Sequence, residues 1–199
     1  MAVSFSNQLF LALISLVVIL NSTFSGSSPV VETENIKFIR RSCGITTYPT
    51  LCVSSLAAHA NAIQTSPMRL SHTALSLSYD ATRSTSVTIA LLAQSHGLLP
   101  REAAAMRDCV EELGDSIDQL KRSLAEMNEL NGPNYGLVMN NIQTWVSAAL
   151  TDEDTCTEGF KGAPTGSKVR SQVRERILNV SHMTSNALAL INTYAAVHG

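Results

Sequence analysis

Between Pro100 and Leu130 the apolar positions Met106, Val110, Leu113, Ile117, Leu120, Leu124 and Met127 recur in alternating steps of four and three. That spacing puts one stripe of side chains on one face of an α-helix. The last segment repeats it with Val169, Val173, Ile177, Val180, Thr184, Ala187, Ile191 and Tyr194, and Val138, Ile142, Trp145 and Ala149 mark a helix before it. The stretch from Met68 to His96 is less regular, since ALSLSY alternates as a strand would. It contains neither Gly nor Pro, however, and a run of that length reads as helix, with Ser66 as N-cap and Pro67 at the first helical position. Upstream, Ile36 to Arg41 and Pro49 to Ala62 read as two short helices.

The breakers agree with this division. Pro67, Pro100, Pro133 and Pro164 stand 33, 33 and 31 residues apart, with Gly97, Gly132, Gly136, Gly162 and Gly166 beside them. A period of that length also suits a solenoid, but the segments share no residue pattern, so four long helices of similar length account for it better. The expected fold is all-α: an up-down-up-down four-helix bundle, at about 66–198, preceded by a short α-hairpin at about 34–62.

At the N-terminus, Leu9 to Leu20 is an apolar run followed by small polar residues, Asn21 to Ser27. This is the layout of a secretory signal peptide, and the run falls short of the roughly 20 residues that a membrane span needs. Residues 1 to 8 carry no Lys or Arg, which departs from the usual basic start. The expected organisation is a leader at 1–25 cleaved near Ser25 or Ser27, then one exported domain at 26–199 with no membrane anchor.

Export changes the meaning of the four cysteines, because oxidising compartments favour bridges over thiols. Three connectivities are open to Cys43, Cys52, Cys109 and Cys156. Cys43 and Cys52 flank Gly44 and Pro49, a turn-prone loop in which a local bridge closes easily, and this pairing leaves Cys109 with Cys156. Zinc is the competing use, but C-x-x-C and paired His are absent from the sequence. Composition removes further classes. Hydrophobic residues make up 45% of the chain and charged ones 15%, with 14 basic against 16 acidic side chains, so no broad positive surface exists for nucleic acid.

The search for catalytic chemistry returns little. There is no G-x-S-x-G and no H-E-x-x-H. GAPTGSK at 162–168 is one residue short of a phosphate loop and follows no strand. Asp152, Glu153 and Asp154 lack the Gly and closing Glu of a calcium loop. His59, His72, His96, His182 and His198 are scattered, so neither a metal nor a cofactor is expected, nor enzymatic turnover. What stands out is acidity: nine of the 16 carboxylates fall at Asp108, Glu111, Glu112, Asp115 and Asp118 and at Asp152, Glu153, Asp154 and Glu158. A Cys109–Cys156 bridge would bring the two groups to one flank. At 100° per residue Glu111, Asp115 and Asp118 project away from Leu113 and Ile117 toward solvent. Like charges four residues apart weaken a helix by about 0.2–0.5 kcal/mol per pair, so the stripe does not serve the helix itself. It reads either as an ordinary solvated face or as a docking face for a partner of complementary charge.

These residues carry a resemblance. The apolar leader, the C-x8-C start, a third Cys in a long helix, and the stretch N-x-x-x-W-V-S-A-A-L-T-D-E-D-T-C-x-x-x-F from Asn141 to Phe160 resemble the plant invertase and pectin methylesterase inhibitor family. The resemblance covers the chain from about Glu32 onward. It implies a four-helix bundle behind an α-hairpin, bridges Cys43–Cys52 and Cys109–Cys156, and a proteinaceous inhibitor in the cell-wall space. The invertase branch usually shows P-K-F before the third helix; here the loop reads Pro133, Asn134, Tyr135. The W-V-S-A-A-L-T run is typical of pectin methylesterase inhibitors and of pectin methylesterase pro-regions. A pro-region would lead into a catalytic domain, and the sequence ends at Gly199, so a free-standing inhibitor is expected. In that branch a 1:1 complex blocks the pectin-binding cleft of the esterase, and the family's contacts fall on Glu111, Asp115, Asp118 and Thr155. The alternative is an inhibitor of acid invertase. Asn179-Val180-Ser181 is an N-glycosylation sequon, placed by the helical wheel toward the core side of its edge.

Overall fold

The computed structural model describes residues 33–160 and 168–198. The expected leader at 1–25 and residues 162–167 of the GAPTGSK loop lie outside them. Among the described residues every regular element is helical. The N-terminal hairpin is α1 (Glu34–Cys43) and α2 (Pro49–Leu56), continued by a 3-10 turn at Ala57–His59 and a single turn, α3 (Ala60–Ile63). Four long helices follow: α4 (Pro67–Leu92), α5 (Pro100–Met127), α6 (Tyr135–Gly159) and α7 (Lys168–His198). Successive long helices pack on one another and α7 closes on α4, which makes the four-helix bundle expected from the breaker spacing.

Local chemistry sets the starts. Thr33 caps α1 by accepting from the Ile36 N–H, and Ser66 caps α4 by accepting from the Arg69 N–H, with Pro67 at the first helical position as anticipated. Pro100 opens α5 in the same way, while the Glu102 carboxylate reaches back to accept from the Leu99 N–H at 3.1 Å. The expected helix over 49–62 is instead three pieces. Gln64, with φ 56°, then turns the chain toward α4 in a conformation unusual for a residue with a Cβ.

Two bridges are present, Cys43–Cys52 within the hairpin and Cys109–Cys156 between α5 and α6, the latter with Cα atoms 4.4 Å apart. The hairpin is held to the bundle by Ile39, Cys43, Cys52, Leu56 and Ile63 packing on Leu70, Ala187 and Leu190. Asn186 on α7 adds a two-point clasp: its Oδ1 accepts from the Tyr48 N–H at 3.0 Å and its Nδ2 donates to the Tyr48 carbonyl at 2.9 Å. The Tyr48 ring stacks on His182, with centroids 3.6 Å apart.

The inward faces differ from the expected stripes in phase. On α5 the interior positions are Met106, Cys109, Leu113, Ser116, Leu120, Ser123 and Met127, while Val110, Ile117 and Leu124 are only partly buried. On α6 they are Ile142, Val146, Ala149, Glu153 and Cys156, with Trp145 half-buried beside them. Helices joined through a bridge with so short a Cα separation approach too closely for bulky side chains at every seam position, so small residues occupy alternate ones. On α7 the pattern from Val173 to Ile191 is as expected.

Two apolar clusters fill the bundle. One contains Leu75, Leu120, Ala149 and Ile191; the other contains Ile89, Leu113, Cys156 and Ile177. On each helix a buried polar residue lies between them: Thr82 on α4, Ser116 on α5, Glu153 on α6 and Thr184 on α7.

Candidate functional site

The Cys109–Cys156 bridge fixes the facing sides of α5 and α6, and beside it lies an open depression of about 480 Å³. Asp108, Glu111 and Glu112 line it from α5, Thr155 and Glu158 from α6. Glu111 and Thr155, assigned to different helices by the sequence, therefore meet at one groove. Asp115 and Asp118 continue the exposed face of α5 one and two turns along from Glu111 without lining the depression. The Thr155 hydroxyl donates to the Thr151 carbonyl at 2.9 Å, which fixes its oxygen on the exposed surface of α6.

The electrostatics reflect crowding. Burial, followed by repulsion from Asp152, Asp115, Glu111 and Asp108, pushes the Glu112 carboxyl above its ordinary pKa. Burial and then the Asp115 charge do the same to Asp152, against the opposing pull of the Gln119 amide, which donates to it at 3.0 Å. Among the described residues no cation contributes to holding either group ionised. Both acids sit between helices α5 and α6, so their charge is concentrated on a surface that the bridge keeps rigid.

Two of the nine acidic residues are not part of this flank. Glu153 is fully buried at the bundle's centre, and Asp154 turns to α7, where its carboxylate accepts from the Ser181 hydroxyl at 2.9 Å. The reading that placed all nine around the bridge is thereby corrected to seven at α5 and its border with α6. The physical reason is the 100° step along α6, which sends 152, 153 and 154 in three directions. Asp108, Glu112 and Glu158 are the groove residues that the motif comparison missed; the available signal was spacing, with Asp108 three residues before Glu111 and four before Glu112, and Glu158 three after Thr155. Asn179 is exposed on α7, not turned toward the core as the wheel suggested, whereas Ser181 of the same sequon is buried in its bond to Asp154.

Among the described residues no group of His, Cys, Asp and Glu has the arrangement to hold a metal ion, and no helix is long and apolar enough to cross a membrane. The site offers hydrogen-bond acceptors and negative charge on two cross-linked helices. The family model described as plant invertase/pectin methylesterase inhibitor matches residues 37–190, from α1 to near the end of α7. The chain belongs to that family. The family is described as one of inhibitors and curated relatives carry that name, so the molecule is an inhibitor and not a catalyst. It is similar to Pectinesterase inhibitor 11 of Arabidopsis thaliana, 42% identical over 191 residues and covering 94% of this chain and 95% of the relative. It is also similar to a 21 kDa protein of Daucus carota, 44% identical over 165 residues, with 81% and 86% covered. Its fold matches the crystal structure of mutant form A of a pectin methylesterase inhibitor from Arabidopsis with a TM-score of 0.64, at 21% identity over 80% of this chain and 97% of the other.

Proposed function

We propose that this inhibitor acts on a pectin methylesterase, laying the α5–α6 face across the enzyme's pectin-binding cleft in a 1:1 complex and so excluding the polymer. The observation that carries the reading is the groove at the Cys109–Cys156 bridge, where Glu111 and Thr155 meet on two cross-linked helices and Asp115 and Asp118 extend the acidic face. Carboxylates are presented there to a cleft that ordinarily receives an acidic polymer, and complementary charge at such a rim raises on-rate and specificity. Rigid helices lose little conformational freedom on docking, which favours affinity. The names of the relatives support this target, and the Pro133-Asn134-Tyr135 loop lacks the P-K-F of the invertase branch. The same proposal includes export to the cell-wall space under the 1–25 leader and a glycan on exposed Asn179.

The oxidised protein, assayed against a pectin methylesterase and an acid invertase side by side, is expected to inhibit the esterase alone. Converting Glu111, Asp115 and Asp118 together to Ala is expected to weaken esterase inhibition by at least tenfold while the circular dichroism and unfolding midpoint stay at wild-type values, and Thr155→Ala should weaken it further. An unchanged inhibition constant would remove this face from the account, and inhibition of invertase alone would overturn the target.

A further inference from the structure

At the level where the two apolar clusters of the bundle meet, the Glu153 side chain is completely shielded from solvent. Three hydroxyl oxygens from three other helices surround its Oε1: Ser116 of α5 at 2.9 Å, Thr184 of α7 at 3.0 Å and Thr82 of α4 at 3.2 Å. The second oxygen, Oε2, is buried and has no hydrogen-bond partner among the described residues. An ionised carboxylate with one oxygen unpartnered in an apolar interior is costly, and removing the charge is the cheaper state.

The hydrogen positions point the same way. A hydroxyl has one proton, and that of Thr82 has a shorter partner in the Ser78 carbonyl, at 2.8 Å, than in Glu153. With that proton shared with the backbone, Thr82 is the weakest of the three donors to Oε1, so an ionised carboxylate there is poorly compensated. Ser116 and Thr184 can still donate to the same carboxyl oxygen.

We propose that Glu153 is a proton-held lock for the bundle: its carboxyl is neutral in an acidic medium, joining α6 to α4, α5 and α7, and loses its proton as the medium turns neutral, weakening that junction. Burial raises its pKa from the ordinary 4.5 to about 7, although the hydrogen bonds from Ser116, Thr184 and Thr82 favour the ionised form. The charged groups nearby do not reverse this. Asp154, on the same helix, adds repulsion and favours the neutral form. On α5 Asp115 acts on Asp152, on α7 the partly buried His182 is set against Asp154, and on α4 the charged Asp80 and Arg83 are exposed.

A carboxyl with a raised folded-state pKa holds its proton in the folded chain after the unfolded chain has released it. The contribution of Glu153 to stability is therefore greatest below pH 4.5, falls as pH rises from 4.5 to about 7, and is level above. In that window the unfolding constant should grow by up to about tenfold per pH unit. Glu153→Gln keeps the neutral shape and cannot ionise. His182 and the surface acids titrate in both proteins, so the ratio of their unfolding constants isolates Glu153.

Urea unfolding of the disulfide-intact wild type and of E153Q at pH 5, 6, 7 and 8 is the test. The ratio is expected to climb by about an order of magnitude or more from pH 5 to pH 7 and then flatten; a ratio constant across the range overturns the lock. Should E153Q fail to fold, wild-type protein labelled with 13C at the Glu side-chain carboxyl decides. A Glu153 resonance titrating near pH 7 supports the proposal, and one ionised at pH 5 or still protonated at pH 8 overturns it.

Discussion

Asn186 illustrates how one side chain can hold an element in place. It is buried on α7, and both ends of its amide bond the Tyr48 backbone, so the turn before α2 cannot leave the bundle without exposing or orphaning four polar groups. Asn186→Ala is expected to cost about 2 kcal/mol, read as a lower urea midpoint, with faster amide exchange confined to α1 and α2. Nothing in the local sequence marks Asn186 as different from the exposed Asn192 six residues later; only the arrival of the hairpin makes the difference. Glu153 is similar in kind but was more legible. It falls on the row Ile142, Val146, Ala149, Glu153, Cys156, Phe160, a run of four-three steps that fixes it as interior once Cys156 is taken as bridged. Choosing Trp145 for the stripe, on hydrophobicity, lost that phase, because a large aromatic at a helix edge can bury half its area without entering the seam.

At the scale of elements, the helix starts were the most readable part. Pro67 and Pro100 each stand at a first helical position, where fixed φ helps and the missing N–H costs nothing. Strict heptad spacing on α7 survived intact, whereas α5 uses Ser116 and Ser123 at its seam, which a search for apolar periodicity passes over. The two bridges have separable roles. Cys109–Cys156 closes a loop with a sequence separation of 47 and holds α5 and α6 together, while Cys43–Cys52, with a separation of 9, shapes the hairpin. Chain entropy predicts that replacing Cys109 and Cys156 by Ser lowers stability by about 4 kcal/mol, and replacing Cys43 and Cys52 by roughly 3 kcal/mol. Denaturant titration of the two double variants checks the order. Inhibition, if it depends on the α5–α6 face, should suffer more in the first even under conditions where both remain folded.

For the molecule as a whole, a formal net charge of −2 conceals an uneven surface, with seven carboxylates along α5 and its border with α6. Docking this face would bury Glu112 and Asp152 further, and their pKa values are already raised by burial and by neighbouring acids. If the complex raises them again, it binds more protons than the free protein, and affinity for the esterase should fall as pH rises from 5 to 7.5. Equal dissociation constants at the two pH values, measured by titration calorimetry, would show that these groups keep their protonation on docking. What could be read directly from the chain was whatever depends on near neighbours: helix periodicity, proline and glycine breakers, the local bridge, the family motif from Asn141 to Phe160. Each is set by residues a few positions apart, within reach of one helical turn or one short loop. The phase of each seam, the burial of Glu153, the separation of Asp154 from the acidic flank and the meeting of Glu111 with Thr155 came from which helix lies opposite. A helix face is defined by its neighbour, and a side chain's charge, exposure and partners follow from that face, so these properties exist only once the four helices have closed on one another.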